Sequence, residues 1–237
     1  MMDIYAVCIR RNTGKIDYEP LLPYVSDSRK RAAVRYAHSV DALRTVLGEA
    51  LARVAICRRL QVVNKRLVFG KNPFGRPLLL EPDGYDFNVS HAGDWVVCAF
   101  ADQGVGIDVE QIRPLDLTIA QRYFAPGEYA ALLDKPTDAE QLQYFFQVWT
   151  LKESYVKAIG EGLSIPLDAF EVAAGKRLAD DTAMAELKSG QPHAYFYQSF
   201  LDDAHILSLC MFAFEKPQIT MLDFADFVML ARDTLRV

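Results

Sequence analysis

The chain has 237 residues, 51% of them hydrophobic, and carries 26 lysines and arginines against 31 aspartates and glutamates for a net charge of −5. That much apolar material suits one large domain or two small ones sharing a core, and the acidic balance excludes the global basic field of a nucleic-acid binder. No apolar run is long enough to span a bilayer and the start, Met1-Met2-Asp3, is no signal peptide, so a cytoplasmic protein without membrane or nucleic-acid partners is expected. The four cysteines, Cys8, Cys57, Cys98 and Cys210, lie far apart among apolar neighbours with no metal-ligand or redox spacing; free thiols in a reducing compartment are expected.

In chain order, residues 3–10 alternate like a strand, and Ser26 or Asp27 is placed to cap a short basic helix reaching about Tyr36. A longer helix follows, with Leu43, Leu47, Leu51 and Val54 on one face. Short strands are predicted near 66–69, 77–80, 86–90 and 95–101, punctuated by Asn72-Pro73, Gly75, Pro82-Asp83-Gly84 and Gly93-Asp94. The last of them is apolar on both faces, which fits a central strand. The order then repeats: a strand at 105–110, helices near 117–123, 126–133 and 139–159, strands near 170–173, 194–200 and 205–214, and a closing helix at 223–234. The boundary between the halves is placed at Gly104, giving 1–104 and 105–237. The similarity lies in element order, without a residue-level repeat.

Two segments carry chemistry. In Trp149-Thr-Leu-Lys-Glu-Ser-Tyr-Val-Lys157 the helical stripe Leu142, Phe146, Trp149, Val156, Gly160 has Glu153 in its middle and Lys157 one turn further on. An isolated charge on a buried stripe needs a partner. In Val105-Gly-Ile-Asp-Val-Glu110 strand alternation sends Asp108 and Glu110 out of one face, about 7 Å apart at the backbone. Two such carboxylates repel unless a cation joins them. With Glu153 they make three hard oxygen ligands, a set that suits magnesium together with a substrate phosphate. Either segment alone is equally well read as an acidic strand end or an ordinary Glu–Lys helix pair. Basic residues cluster early, at Arg29-Lys30-Arg31, Arg35, Arg44, Arg58-Arg59 and Lys65-Arg66. They read as a solvated helix face or as a grip on a phosphate-rich small ligand.

The pair G-I-D-V-E (106–110) and W-T-L-K-E-S-Y-V-K (149–157), with 40 residues between Asp108 and Trp149, resembles the signature of the Sfp-type 4′-phosphopantetheinyl transferase family. The segments D-A-L-R-T-V-L-G (41–48), F-G-R-P (74–77) and F-N-V-S-H-A-G-D-W (87–95) extend the resemblance over nearly the whole chain. It implies an α+β fold of two similar halves about a pseudo-twofold axis, each a small antiparallel sheet packed by helices, with coenzyme A bound in the cleft between them. It also implies transfer of 4′-phosphopantetheine from coenzyme A to a serine of an acyl or peptidyl carrier protein. By the same resemblance Asp108, Glu110 and Glu153 are the magnesium ligands and Lys157 contacts the pyrophosphate. Ser90 and His91 contact the nucleotide phosphates, Arg76 lies along the adenine, and Arg29, Arg44 and Thr45 surround the 3′-phosphate. Ala32 departs from relatives that carry a second lysine there, with Lys30, Arg31 or Arg35 as substitutes. Glu153 ranks first as the base for the serine proton and Glu128 second. Residues 111–133, including Leu115, Leu117, Tyr123, Phe124 and Leu132, are candidates for docking the carrier, although such a pattern is more often ordinary core; a monomer is expected. Two rival readings stand beside this one: a magnesium-dependent nucleotide pyrophosphatase, and a non-catalytic carrier-binding module.

Overall fold

A computed structural model describes residues 2–9, 17–172, 182–184 and 193–236. It divides the chain into two compact units of mixed α+β structure, one made of Met1–Gly70, Pro77–Asp102 and Lys216–Val237, the other of Lys71–Arg76 and Gln103–Glu215.

The first unit contains β1 (Met2–Cys8), α1 (Asp27–Ala33), α2 (Ser39–Leu60), β2 (Val68–Lys71), β3 (Pro77–Glu81), β4 (Asp86–Ala92) and β5 (Trp95–Ala101), and takes back the C-terminal β10 (Pro217–Asp223) and α6 (Phe224–Thr234). Its main sheet runs β10-β1-β5-β4. As the apolar run predicts, β5 is buried along its whole length between two neighbours. Helix α2 presses Leu43, Val46, Leu47, Leu51 and Val54 into the core on this sheet. Ser26 caps α1, its hydroxyl accepting from the Arg29 N–H at 3.2 Å, as expected; the helix stops at Ala33 rather than Tyr36.

Two sequence expectations change here. Element order puts residues 216–237 in the second half, yet they group with the first unit, where β10 pairs in parallel with β1 from Met2↔Pro217 to Cys8↔Asp223. Strand β10 was not foreseen. It is a half-exposed edge strand that opens on a proline, the one strand position where proline argues least against pairing.

The second unit contains β6 (Val105–Gln111), α3 (Ala120–Tyr123), α4 (Pro126–Leu133), α5 (Asp138–Ile159), β7 (Thr182–Met184), β8 (Tyr195–Asp202) and β9 (His205–Met211), with sheet order β6-β9-β8-β7, all antiparallel. Helix α5 packs on β6 and β9. Thr137 caps its start, accepting from the Glu140 N–H at 3.2 Å, and Gly160, at φ 83°, ends it in the left-handed conformation that glycine adopts without strain. The strand predicted near 170–173 does not form over 170–172; residue 173 lies outside the described residues.

The units share one internal plan. In each, a first strand and a 22-residue helix precede a hairpin, and the first strand pairs with the hairpin's second strand: β1-β5-β4 in one, β6-β9-β8 in the other.

Candidate functional site

The two chemical segments meet within the second unit because of a glycine. A Cβ at Gly106 would overlap the Ser154 carbonyl oxygen and the Ala158 nitrogen, so only glycine lets β6 lie against the backbone of α5. Two residues on, Asp108 is 3% exposed and receives the Lys157 ammonium at 2.6 Å. Glu110 follows on the same face at the strand's half-exposed end. Burial, then the charge of Asp108, with Lys157 and Arg113 opposing, pushes its carboxyl up to about 7. Burial and then the Asp108 charge likewise raise Glu153, against the pull of Lys157.

These carboxylates crowd one another with one lysine between them. A divalent cation would relieve that crowding, and hard oxygen donors are what magnesium takes, so the donor set fits the ion in chemistry. It is not a closed cage: among the described residues no group of three or more His, Cys, Asp or Glu side chains stands ready to hold a metal.

The charge driven deepest into α5 is not Glu153 but its neighbour. Glu153 is half-buried, whereas Lys152 is fully buried. Its ammonium donates to Glu128 Oε2 at 2.8 Å and to the carbonyls of Leu167 and Phe170 at 2.8 and 2.6 Å. Three donors thus meet three acceptors. Glu128, 2% exposed, also accepts the Ala125 N–H at 2.8 Å and the Val172 N–H at 2.7 Å. Both oxygens are engaged in the core, one of them on the N–H that starts α4, so Glu128 has the capping role of a helix-start residue rather than an open carboxylate.

In the first unit the expected phosphate-binding residues are held by side chains that sequence reasoning overlooked. Glu49 is a hub: it accepts from the Ser26 N–H at 2.8 Å, from Arg29 Nε at 3.1 Å and from Arg53 Nε at 2.9 Å. The sequence signal for it was a lone carboxylate in the apolar run Val46–Leu51. Arg29 therefore has one edge fixed, with its side chain 34% exposed. Arg44 pairs with Asp41 at 3.0 Å and donates to the Gly93 carbonyl, which brings the start of α2 to the turn just beyond Ser90 and His91. The Thr45 hydroxyl reaches the Tyr36 phenol at 3.0 Å. Ser90 is buried and His91 exposed on β4. Arg76, grouped with the second unit, donates to the Val105 carbonyl at 2.9 Å, next to Gly106.

Family comparisons place the chain. The model described as "4′-phosphopantetheinyl transferase superfamily" matches residues 104–210, and "4′-phosphopantetheinyl transferase, N-terminal" matches residues 13–103. The chain is similar to 4′-phosphopantetheinyl transferase Sfp of Bacillus subtilis, 35% identical over 95% of this chain and 99% of that one. It is 36% identical to the transferase psf-1 of Bacillus pumilus over 88% of this chain and 89% of that one, and 42% identical to gsp of Aneurinibacillus migulanus over 72% and 70%. The chain belongs to the 4′-phosphopantetheinyl transferase superfamily. It is an enzyme of the Sfp-like kind.

Of the candidate docking residues, two are core. Phe124, 3% exposed, stacks on Phe145 with centroids 5.2 Å apart, and Leu132 is 1% exposed. Tyr123 is half-buried edge-on to Trp149 at 5.8 Å, and Leu117 is half-buried. Leu115 is exposed, as is Ile119, which the sequence pattern does not single out. Among the described residues no helix is long and apolar enough to cross a membrane.

Proposed function

We propose that this protein transfers the 4′-phosphopantetheine group of coenzyme A to a serine of an acyl or peptidyl carrier protein, in a magnesium-dependent reaction that releases adenosine 3′,5′-bisphosphate. The observation that carries the reading is the meeting of Asp108, Glu110, Glu153 and Lys157 where β6 lies against α5, in a chain whose full-length relatives are named for this transfer.

Asp108, Glu110 and Glu153 would hold the magnesium ion, which when bound supplies positive charge for the phosphate oxygens. Lys157 gives a further charge to the pyrophosphate, exchanging its contact with Asp108 for one with substrate. Phosphoryl transfer depends mainly on such positioning and electrostatics. The serine oxygen forms a bond to the β-phosphorus of coenzyme A as the bond to the bridging pyrophosphate oxygen breaks, and that oxygen leaves with the adenosine bisphosphate. Glu153, its basicity raised by burial and by Asp108, accepts the serine proton and passes it to solvent. Arg29, Arg44, Thr45, Ser90, His91 and Arg76 would bind the nucleotide end.

The test is mass spectrometry of an apo carrier protein incubated with this protein, coenzyme A and magnesium. A gain of one phosphopantetheine that is lost with EDTA supports the reading. Adenosine bisphosphate without carrier modification would favour the pyrophosphatase. No modification despite coenzyme A binding would favour the carrier-binding module.

A further inference from the structure

A polar row crosses the sheet of the second unit beneath α5. The register places Gln198 opposite Ser208 and Ser208 opposite Asp108, so the three side chains share one face. Thr150 comes down on this row from α5, its hydroxyl 2.7 Å from that of Ser208, with both residues fully buried. The contacts allow one consistent set of directions. The Thr150 hydroxyl lies 2.9 Å from the Phe146 carbonyl and 3.2 Å from that of Gln147; donating there, it accepts from Ser208 and from Gln198 Nε2 at 3.3 Å. Ser208 in turn accepts from Gln198 Nε2 at 2.8 Å, whose amide also donates to the Gln147 carbonyl at 2.9 Å. Buried hydroxyls this completely paired fix one arrangement and penalise its neighbours.

The same helix and row make a second polar contact two turns along, Lys157 to Asp108. At about 100° per residue, Thr150, Glu153 and Lys157 fall within a sector of about 60° on α5. A roll of the helix that broke the Thr150 contact would therefore carry Glu153 and Lys157 away from β6. Apolar burial has no direction of its own, and buried side chains surround nearly the whole helix, so the polar contacts are what distinguish one roll from its neighbours.

We propose that Thr150, Ser208 and Gln198 are positioning residues that set the roll of α5, and through it the approach of Glu153 and Lys157 to Asp108 and Glu110. This rests on the transfer reading above, but part of its test does not.

Thr150→Val, Thr150→Ser and Ser208→Ala proteins are compared with wild type by transfer kinetics, coenzyme A calorimetry and crystal structures. The expected result is that Thr150→Val and Ser208→Ala bind coenzyme A with undiminished stoichiometry while kcat falls about tenfold, because a small misplacement of reacting groups is costly. Thr150→Ser, which keeps the hydroxyl, restores kcat to within about twofold. In the Thr150→Val crystal Lys157 lies beyond hydrogen-bond reach of Asp108. Wild-type kcat in both apolar variants, or an unrotated α5 with the Lys157–Asp108 contact kept, overturns the proposal. Should Thr150→Val fail to fold, Ser208→Ala carries the same measurements. Should wild type modify no carrier, the transfer reading fails and the crystal structures still decide this one.

Discussion

Asp108 and Lys157 make a 2.6 Å ion pair across 49 residues of sequence, and Gly106, two residues before Asp108, is what lets them meet. The strand reaches the helix backbone only because no Cβ intervenes. Replacing Gly106 with alanine forces α5 off β6. Overpacking of this kind costs about 1–3 kcal/mol, and here the atoms in the way are backbone that cannot rotate aside. Gly106→Ala is therefore expected at or above the top of that range by urea denaturation, with transfer lost in whatever fraction stays folded. A variant as stable as wild type would mean that the approach is looser than described.

The Lys152–Glu128 pair predicts a different failure. Burial pushes the Glu128 carboxyl up and the Lys152 ammonium down, and their contact offsets part of both. Removing one partner strands the other's charge, which costs about 3–5 kcal/mol. Lys152→Met should lose that much by equilibrium denaturation. Lys152→Met with Glu128→Gln should recover part of it, because the glutamine carbonyl can still accept one of the N–H bonds that Glu128 now holds. If Glu128→Gln alone kept wild-type stability yet abolished transfer, the residue would act as a proton acceptor rather than as a cap.

These two pairs also show what the sequence made legible. The alternation of Val105, Ile107 and Val109 places Asp108 and Glu110 on one face, and the apolar period bounds α5 closely, at 139–159 against Asp138–Ile159. What a single periodic stripe missed is that α5 is buried nearly all round, so the charge needing a core partner was Lys152 rather than Glu153. The strand expected at 170–173 failed for a related reason. Phe170 and Val172 are buried as a strand's residues would be, but the Phe170 carbonyl and Val172 N–H serve Lys152 and Glu128 instead of a sheet. Such backbone partners leave no periodic trace. The Thr150–Ser208 contact, 58 residues apart in sequence, was invisible because each looks like an isolated hydroxyl in an apolar element.

Crowded carboxylates should make the second unit respond to magnesium. An ion that binds only the folded state at ten times its dissociation constant adds about 1.4 kcal/mol, or roughly 3–6 °C in Tm for a chain of this size. Wild type should show such a rise with magnesium and lose it with EDTA. Glu110→Gln and Glu153→Gln should show a smaller rise or none, and Glu153→Gln should lower kcat at least about 100-fold. An undiminished magnesium response in both variants would refute the ligand assignment.

Exposure separates docking from core among the apolar residues after β6. Phe124→Ala should cost about 3–5 kcal/mol as a core truncation. Leu115→Ala and Ile119→Ala, at positions 37% and 36% exposed, should leave Tm within about 2 °C of wild type. If this surface meets the carrier, they raise KM for the carrier severalfold and leave KM for coenzyme A unchanged. Equal changes in both constants would remove these residues from the docking surface.

Glu49 gives the first unit a pH signature. Burial would raise its carboxyl, but the Ser26 N–H, Arg53 and Arg29 together outweigh burial and hold it below the ordinary 4.5. The folded state therefore binds a proton less readily than the unfolded chain does. A depressed carboxyl contributes stability that is fully present above about pH 4.5 and drains away as pH falls through the lower folded value. Glu49→Gln removes that contribution, and a buried group deprived of a charged partner costs about 1–3 kcal/mol. The stability gap between wild type and Glu49→Gln, measured by urea denaturation, should be flat from pH 8 to about pH 5 and narrow below that. Because Glu49 also holds Arg29, the same variant should weaken coenzyme A binding at pH 7, and adenosine 3′,5′-bisphosphate binding with it. A gap that widened on acidification would mean that Arg29 and Arg53 do not hold the carboxylate charged, and the hub would have to be redrawn.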